Sequence, residues 1–148
     1  MPELISKYGL TLQQLQLIKV DTDGFDYDCI MSMGDMLQTV SPLLYWEHFL
    51  ENNEQHNAYS SMLSYLEEMG YVLFVVFDNV GHMLFTLDVL RLKQFHEYLL
   101  AVILDETTTY YNHDYYFDIL ACKADKVDFV HKIMKDYEDL YADSLKKS

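Results

Sequence analysis

The sequence predicts an α/β fold with a three-layer, Rossmann-like sheet. Two observations support this prediction. Segments of strand character alternate with segments of helical spacing between residues 15 and 77. Residues 71–77 are apolar throughout, which is typical of a strand buried on both faces. Alternation of this kind favours parallel strands joined by right-handed crossovers. We therefore expect a mostly parallel sheet of four to five strands, with helices on both faces and an antiparallel hairpin or edge at one side.

The first strand and the loop after it have the sequence Leu-Ile-Lys-Val-Asp-Thr-Asp-Gly-Phe-Asp, at residues 17–26. The first four residues favour a strand because most are apolar and two are β-branched. Gly24 indicates a tight turn, since glycine takes positive φ without cost. Apolar residues then recur at helical spacing over residues 26–40, and Ser41-Pro42 ends that helix.

The remaining elements follow in the same way from periodicity and capping residues. Residues 3–14 favour a short helix or a loop, and 50–57 and 107–114 favour polar loops. Strands are predicted at residues 43–46, 71–77, 82–86 and 115–121. Helices are predicted from cap residues Asn57, Asp88 and Asp125, the second of them to about residue 104. Asp118 interrupts its apolar strand, which indicates a sheet edge or a functional residue.

Composition limits the classes of function. The 148 residues suit one domain, and the hydrophobic share of 51% is enough for a core. A net charge of −14 argues against nucleic acid and against an anionic membrane surface as partners. No apolar run approaches the roughly 20 residues of a membrane span, and no signal peptide is evident. Two cysteines provide no disulfide framework, so we expect a cytoplasmic protein.

Acidic residues follow the first two predicted strands. In open α/β sheets, ligands bind beyond the carboxyl ends of the strands. Asp21, Asp23 and Glu47 should therefore converge, and their mutual repulsion should raise at least one carboxyl pKa. The alternative for the two aspartates, and for Asp26, is an ordinary role as helix cap. His48 is a candidate base because an unperturbed imidazole titrates near neutrality; its alternative is an ordinary loop histidine.

The same three carboxylates could instead bind Mg²⁺ or Ca²⁺, since both ions prefer oxygen ligands. An EF-hand is excluded because, counting from Asp21, the glycine falls at loop position four rather than six. The cysteines and the other histidines lack the spacing of zinc ligands.

Two motifs resemble the signature of the FkbM-type methyltransferases. These are Ile-Lys-Val-Asp-Thr-Asp-Gly-Phe-Asp at residues 18–26 and Ser-Pro-Leu-Leu-Tyr-Trp-Glu at residues 41–47. The family has Ile-Lys-Ile-Asp-x-(Glu or Asp)-Gly, a helix, and then Pro-x-hydrophobics-Glu. The order continues with Val-Phe-Asp-Asn at 76–79 and Tyr-Phe-Asp-Ile-Leu-Ala at 116–121. The resemblance thus extends from about Leu15 to about Cys122.

The resemblance implies an enzyme that uses S-adenosylmethionine and methylates hydroxyl groups, often on sugars or other small molecules. It also implies a class I sheet with strand order 3-2-1-4-5-7-6. The first strand here would be the fourth of that sheet, and residues 43–46 would be the fifth. Asp21 and Asp23 would then border the pocket of the methyl acceptor, with Glu47 at the neighbouring strand end and His48 beside it. Asp21 is the leading candidate for the base that takes the hydroxyl proton, or for a hydrogen bond that orients the acceptor, and Asp23 and Glu47 are second.

One feature departs from the family. Its members bind the cofactor with a glycine-rich loop after their first strand, whereas none of the five glycines here forms a Gly-x-Gly. The chain therefore resembles the C-terminal half of a methyltransferase, as a single domain over residues 1–148. We expect the isolated chain to bind S-adenosylmethionine weakly or not at all, and to be inactive alone. The alternative is a non-catalytic α/β module that works by association.

The resemblance has a consequence for partners as well. Strand four of the family pairs with strand one, which this sequence does not provide. Residues 15–20 have apolar side chains on both faces and one charge, Lys19. Such a strand, left open, exposes unpaired backbone groups. We therefore expect a homodimer, or pairing with a partner chain, through the strand at 15–20.

Overall fold

The computed structural model describes residues 7–9, 11–104 and 116–145. Within these ranges the chain forms five strands and five helices around one sheet. The strands are β1 Leu17–Val20, β2 Leu43–His48, β3 Tyr71–Asp78, β4 Met83–Leu87 and β5 Phe117–Lys123. The helices are α1 Asp26–Met31, α2 Asp35–Val40, α3 Asn53–Glu68, α4 Val89–Leu104 and α5 Val127–Leu145. Among these helices, none combines the length and apolar character needed to span a membrane.

The sheet is mixed and open, with the strand order β1-β2-β5-β3-β4. β1 and β2 are parallel, whereas β2–β5, β5–β3 and β3–β4 are antiparallel. The expectation of a mostly parallel sheet is therefore wrong. The reason is topological: β1, β2 and β3 do share one direction, but β5 inserts between β2 and β3 in the opposite direction. The expected hairpin is present as β3 and β4.

Helices cover both faces of the sheet, as the sequence predicts. On one face, α1–α4 pack over a core that includes Ile30, Trp46 and Leu66, all fully buried. On the other face, α5 contributes Val130 and Met134 to a smaller apolar cluster. Successive residues of β5 alternate between the two clusters, which is why this strand has so few polar positions.

Two helix starts differ from the prediction. Asn52, not Asn57, caps α3: its side-chain oxygen accepts a hydrogen bond from the backbone N–H of Gln55 at 2.9 Å. Part of the polar stretch 50–57 is therefore helical: Asn53 and Glu54 are exposed in the first turn, whereas His56 is buried. The final helix begins at Val127, and Asp125 belongs to a 3₁₀ turn before it.

The single helix predicted over residues 26–40 is instead two short helices. Gly34 lies between them with φ 53° and ψ −137°, a conformation that only glycine adopts readily. One other predicted strand needs a change of boundary, and two further predictions fall wholly or partly outside the described residues. The strand predicted at 43–46 extends to His48. The loop predicted at 107–114 and the first residue of the strand predicted at 115–121 lie outside the described residues.

Helix α2 ends at a strained residue. Ser41 has φ 55° and ψ 47°, the left-handed conformation that glycine usually occupies at this position. Its hydroxyl donates a hydrogen bond to the Asp125 carboxylate at 3.2 Å. For a residue with a Cβ, this conformation costs roughly 1–2 kcal/mol. Pro42 follows and prevents the helix from continuing.

Replacing Ser41 should reveal this strain. Ser41→Gly and Ser41→Ala both lose the bond to Asp125, but only glycine removes the Cβ. We expect Ser41→Gly to be more stable than Ser41→Ala by about 1 kcal/mol in urea unfolding. Thr39, inside α2, is the matched control: there, alanine should be more stable than glycine by about 1 kcal/mol. The same ranking at both positions would contradict the strain.

Candidate functional site

Three carboxylates meet at one edge of the sheet. Because β1 and β2 are parallel, the loop after β1 lies beside the carboxyl end of β2. Asp21 and Asp23 are in that loop, and Glu47 is the penultimate residue of β2. One carboxylate oxygen from each lies within 4.8 Å of the others. We call these three residues the carboxylate cluster. The structure thus brings together three of the four site residues selected from the sequence.

The loop after β1 turns sharply to make this possible. Asp23 and Gly24 are consecutive residues with positive φ, of 50° and 93°. A Cβ on Gly24 would lie 3.0 Å from the nitrogen at the end of the flexible Gln55 side chain, so the positive φ favours glycine here more than the packing does. An aspartate tolerates positive φ better than most residues, which suits Asp23 to this position.

Asp26 lies beneath the loop and fastens it to β2. It is fully buried, and its carboxylate accepts hydrogen bonds from the Thr22 hydroxyl at 3.1 Å and from the Glu47 N–H at 3.4 Å. Asp26 is therefore not the cap of α1; it is the first residue of that helix, and Phe25 precedes it at the cap position. Burial raises the pKa of Asp26, and its hydrogen bonds partly oppose that rise.

Glu47 has the most perturbed acidity of the cluster. Its pKa is raised to about 7, first by burial and then by the negative charges of Asp26 and Asp21. The sequence predicted a raised carboxyl pKa from repulsion within the cluster. Burial contributes more than repulsion, and the strongest repulsion comes from Asp26, outside the cluster. The sequence did not indicate this role of Asp26, because an aspartate at the start of a helix is commonly a cap.

Asp118 is a further acid near the cluster. It lies directly opposite Glu47 in the β2–β5 pairing, so both side chains are on the same face of the sheet. Burial raises the pKa of Asp118, whereas hydrogen bonding to the Tyr45 side chain lowers it. Its position in an otherwise apolar strand was the sequence signal for this placement.

Asp21 is more solvated than Glu47 and has a cationic partner. The Lys19 ammonium lies 2.8 Å from an Asp21 carboxylate oxygen, and both side chains are more than half exposed. Asp23 is exposed as well. The cluster therefore combines one partly buried carboxyl of raised pKa with two solvated carboxylates.

His48 does not join the cluster. Side chains alternate along a strand, so His48 faces away from Glu47 and lies in the core under α3 and α4. It is almost fully buried, and burial holds its pKa well below the usual value. It is neither an ordinary loop histidine nor placed to act as a base on a molecule held by the carboxylate cluster.

His48 belongs to a chain of buried hydrogen bonds. The Trp46 indole N–H donates to His48 Nδ1 at 3.4 Å, and His48 Nε2 lies 3.0 Å from His96 Nδ1. His96 Nε2 lies 2.9 Å from the His56 carbonyl oxygen. Neutral rings satisfy every bond: each imidazole accepts at Nδ1 and donates at Nε2. Burial lowers the pKa of His96 to about 4, in keeping with this neutral state.

A hollow of about 420 Å³ opens beside the carboxylate cluster, on the α1 side of β1. This is within the usual size of small-molecule pockets. Its lining is partly apolar and partly polar: Ile18, Lys19, Val20, Asp21, Thr22, Cys29, Ser32 and Met33. The carboxylate cluster and this hollow together form the candidate site.

The glycine-rich loop of a nucleotide-like cofactor site lets the backbone approach the ligand, because its glycines have no Cβ. The five glycines here, at positions 9, 24, 34, 70 and 81, form no Gly-x-Gly, so the sequence has no loop of this kind. Oxygen ligands for Mg²⁺ or Ca²⁺ are available in the carboxylate cluster, although exposed acidic groups are common without an ion.

The fold and the cluster define a class: an α/β protein with an acidic site at the carboxyl ends of adjacent parallel strands. The family comparison is more specific. The family model described as "Methyltransferase FkbM domain" matches residues 3–73, about half of the chain, and this segment contains the whole carboxylate cluster. The resemblance is therefore confirmed over residues 3–73. No curated protein matches the chain, and no solved structure does.

The raised pKa of Glu47 has a measurable consequence. A carboxyl whose folded pKa exceeds the unfolded value near 4.5 stabilises the fold at low pH and loses that contribution as pH rises through about 7. Glu47→Gln should therefore be more stable than the parent by about 1–2 kcal/mol at alkaline pH, after allowance for solvent screening, and unchanged at acid pH. Glu68→Gln, at an exposed position of α3, should show no such trend.

The buried histidines should produce the opposite trend. Their folded pKa values lie below the unfolded value of 6.5, so their stabilising contribution is full above 6.5 and is lost as pH falls toward about 4. The double variant His48→Phe/His96→Phe removes both titrating groups. Relative to this variant, the parent should lose about 4 kcal/mol between pH 7.5 and 5, about 2 kcal/mol from each histidine.

Comparing parent with variant cancels the contribution of Glu47, which is the same in both. His131→Gln, at an exposed position of α5, should leave the parent's pH profile unchanged. Imidazole nitrogen shifts in the unmodified protein provide a second measurement: His96 should stay neutral down to about pH 5. Protonation of His96 near pH 6.5 would show that the chain of neutral rings is wrong.

Proposed function

We propose that this chain provides the acceptor side of an S-adenosylmethionine-dependent methyl transfer to a hydroxyl group of a sugar or another small molecule. The match of residues 3–73 to a methyltransferase family supports methyl transfer. The observation that carries the choice of a hydroxyl acceptor is the carboxylate cluster, with Glu47 at a pKa of about 7. A hydroxyl must lose its proton as the new bond forms, and this cluster offers a group suited to take it.

Glu47 is the proposed base. A general base works best when its pKa lies near the operating pH, and burial together with Asp26 gives Glu47 that property. From the sequence alone Asp21 was the leading candidate, with Asp23 and Glu47 second. The ion pair between Asp21 and Lys19 instead suits Asp21 to accept hydrogen bonds from the acceptor molecule. Asp23, exposed in the same loop, has the same proposed role.

The acceptor class follows from the chemistry of the cluster. Several carboxylate oxygens within 4.8 Å of each other match the neighbouring hydroxyl donors of a sugar or polyol. The adjoining hollow of about 420 Å³ is large enough for one sugar ring and exposes mainly apolar surface, which suits the C–H faces of such a ring.

The sheet order supports the proposal that the chain corresponds to the C-terminal half of the class I fold. In the family order 3-2-1-4-5-7-6, strands four, five, seven and six are neighbours. β1, β2, β5 and β3 are neighbours here in the same sequence. With β1 as strand four, the carboxylate cluster lies at the end of the sheet where the family's first three strands would follow.

The isolated chain is accordingly proposed to bind S-adenosylmethionine weakly or not at all, because its sequence has no glycine-rich cofactor loop. Donor binding then depends on association with another polypeptide surface. Cys29 and Cys122 are both free, which supports a reducing cytoplasm as the location.

A non-catalytic interaction module is the second candidate function. Two features favour this second function: the sequence has no glycine-rich cofactor loop, and one side of β1 has no neighbouring strand among the described residues. The two functions differ in one observable: only the methyl-acceptor function needs the carboxylate cluster to bind hydroxyl compounds.

Titration of carboxylate resonances tests the proposal on the chain as it exists. Sugars and polyols should shift the signals of Glu47, Asp21 and Asp23 at millimolar concentrations, and Glu47→Gln should weaken this binding at least threefold. Glu68→Gln is the control and should bind as the parent does. S-adenosylmethionine should give little or no heat in calorimetry.

Three outcomes would contradict parts of this proposal. If no hydroxyl compound shifts the cluster, the acceptor function fails. If Mg²⁺ or Ca²⁺ alone shifts all three carboxylates at micromolar concentration, the cluster is a metal site. Micromolar binding of S-adenosylmethionine would show that the chain contains a cofactor site of another kind.

A further inference from the structure

β1 is an edge strand with an open side. Gln16 directs its carbonyl oxygen toward β2, where it accepts a hydrogen bond from the Leu43 N–H at 2.8 Å. Hydrogen-bonding groups alternate along a strand, so those of Leu17 and Lys19 point away from β2. In the described part of the chain, no strand pairs with this side of β1. Edge strands are usually protected by proline, several charges or a covering segment. β1 has Lys19 alone.

An apolar groove flanks β1 on the α5 face of the sheet. It measures about 410 Å³ and is lined by Gln16, Leu17, Leu43, Lys126, Phe129 and Ile133. Three of its apolar side chains are also exposed: Leu17 to 53%, Phe129 to 56% and Ile133 to 37%. The groove between β1 and α5 is thus lined by apolar side chains that are still exposed to solvent. We call this surface the α5 groove.

The other face of β1 is apolar as well. There the hollow beside the carboxylate cluster is lined by Ile18, Val20 and Met33 among others. A strand with apolar surface on both faces has the composition of an interior strand. The edge of β1 is therefore built to be covered by a further strand that has apolar neighbours on both of its faces.

We propose that a second copy of this chain covers it, with the two β1 strands antiparallel across a two-fold axis to form one continuous ten-stranded sheet. With the axis perpendicular to the sheet, both α5 helices lie on the same face. The α5 grooves of the two copies then lie side by side, so that the exposed Leu17 and Phe129 side chains of both copies bury one another. The same apolar surface of each copy then contacts that of the other, as in a two-fold interface.

The negative charge of two copies is compatible with their pairing only if the two β1 strands are antiparallel. Each copy has a net charge of −14, so two carboxylate clusters side by side would repel strongly. Antiparallel pairing places the two carboxylate clusters at opposite ends of the paired β1 strands. A register centred on Ile18 also sets Lys19 opposite Leu17 rather than opposite itself. The remaining long-range repulsion is screened by salt, so the dimer should tighten as ionic strength rises.

Light scattering after size-exclusion chromatography tests the inference, which does not depend on the proposed methyl transfer. We expect twice the 17.5 kDa mass of one chain at micromolar concentration, with the dimer fraction increasing between low and high salt. Leu17→Glu and Phe129→Glu place a charge on side chains that are already exposed, so each copy should still fold. Each variant should weaken the dimer at least tenfold.

Leu90→Glu is the matched control, because Leu90 is 65% exposed on α4, whose neighbours α3, β3 and β4 do not include β1. It should dimerise as the parent does, with far-ultraviolet circular dichroism confirming that all variants fold. Hydrogen exchange tests whether β1 itself is paired. The Leu17 and Lys19 amides should be protected from exchange in the dimer and lose this protection on dilution. A monomer at all concentrations, or a dimer that neither glutamate variant weakens, would overturn the inference.

Discussion

The parallel pairing of β1 with β2 is the constraint on which the rest of the structure depends. It runs from Leu17 opposite Leu43 to Val20 opposite Trp46. Because the pairing is parallel, both strands end at the same edge, and the acids that follow them meet there. Asp26 then fastens the loop by accepting a hydrogen bond from the Glu47 N–H. The same buried carboxylate is the strongest charge acting on Glu47, so one contact both positions the cluster and raises the pKa of its central acid.

The alternation of side chains along β2 separates two environments that are adjacent in sequence. Glu47 faces solvent and other acids on one side of the sheet, whereas His48 faces a dry core on the other. Burial favours the neutral form of both groups, so the pKa of Glu47 rises and that of His48 falls. The effects of Glu47 and His48 on stability therefore have opposite pH dependence. The pH profile of stability measured on the whole protein is the sum of both effects.

Much of this could be predicted from the sequence, and the rest could not for identifiable reasons. Short-range signals were sufficient for the buried strand β3, the hairpin, the loop at Gly24 and the convergence of Asp21, Asp23 and Glu47. Residue periodicity did not predict strand order, because the placement of β5 between β2 and β3 depends on contacts distant in sequence; the family order implied by the resemblance agrees with it. His48 was misjudged because β2 was predicted to end at Trp46; once His48 is within the strand, alternation alone directs it into the core.

The open edge of β1 and the carboxylate cluster are consequences of one placement. A site at the end of the outermost strand has protein on one side only, so Asp21 remains solvated while Glu47, one strand further in, is partly buried. Burial increases from β1 to β2. This increase explains why Asp21 and Asp23 are solvated whereas Glu47 is partly buried. A copy paired antiparallel to β1 would cover the strand without covering the cluster, since the clusters would then lie at opposite edges of the sheet. Dimer formation is therefore compatible with ligand access at the carboxylate cluster itself, while the second copy would border the adjoining hollow beside β1.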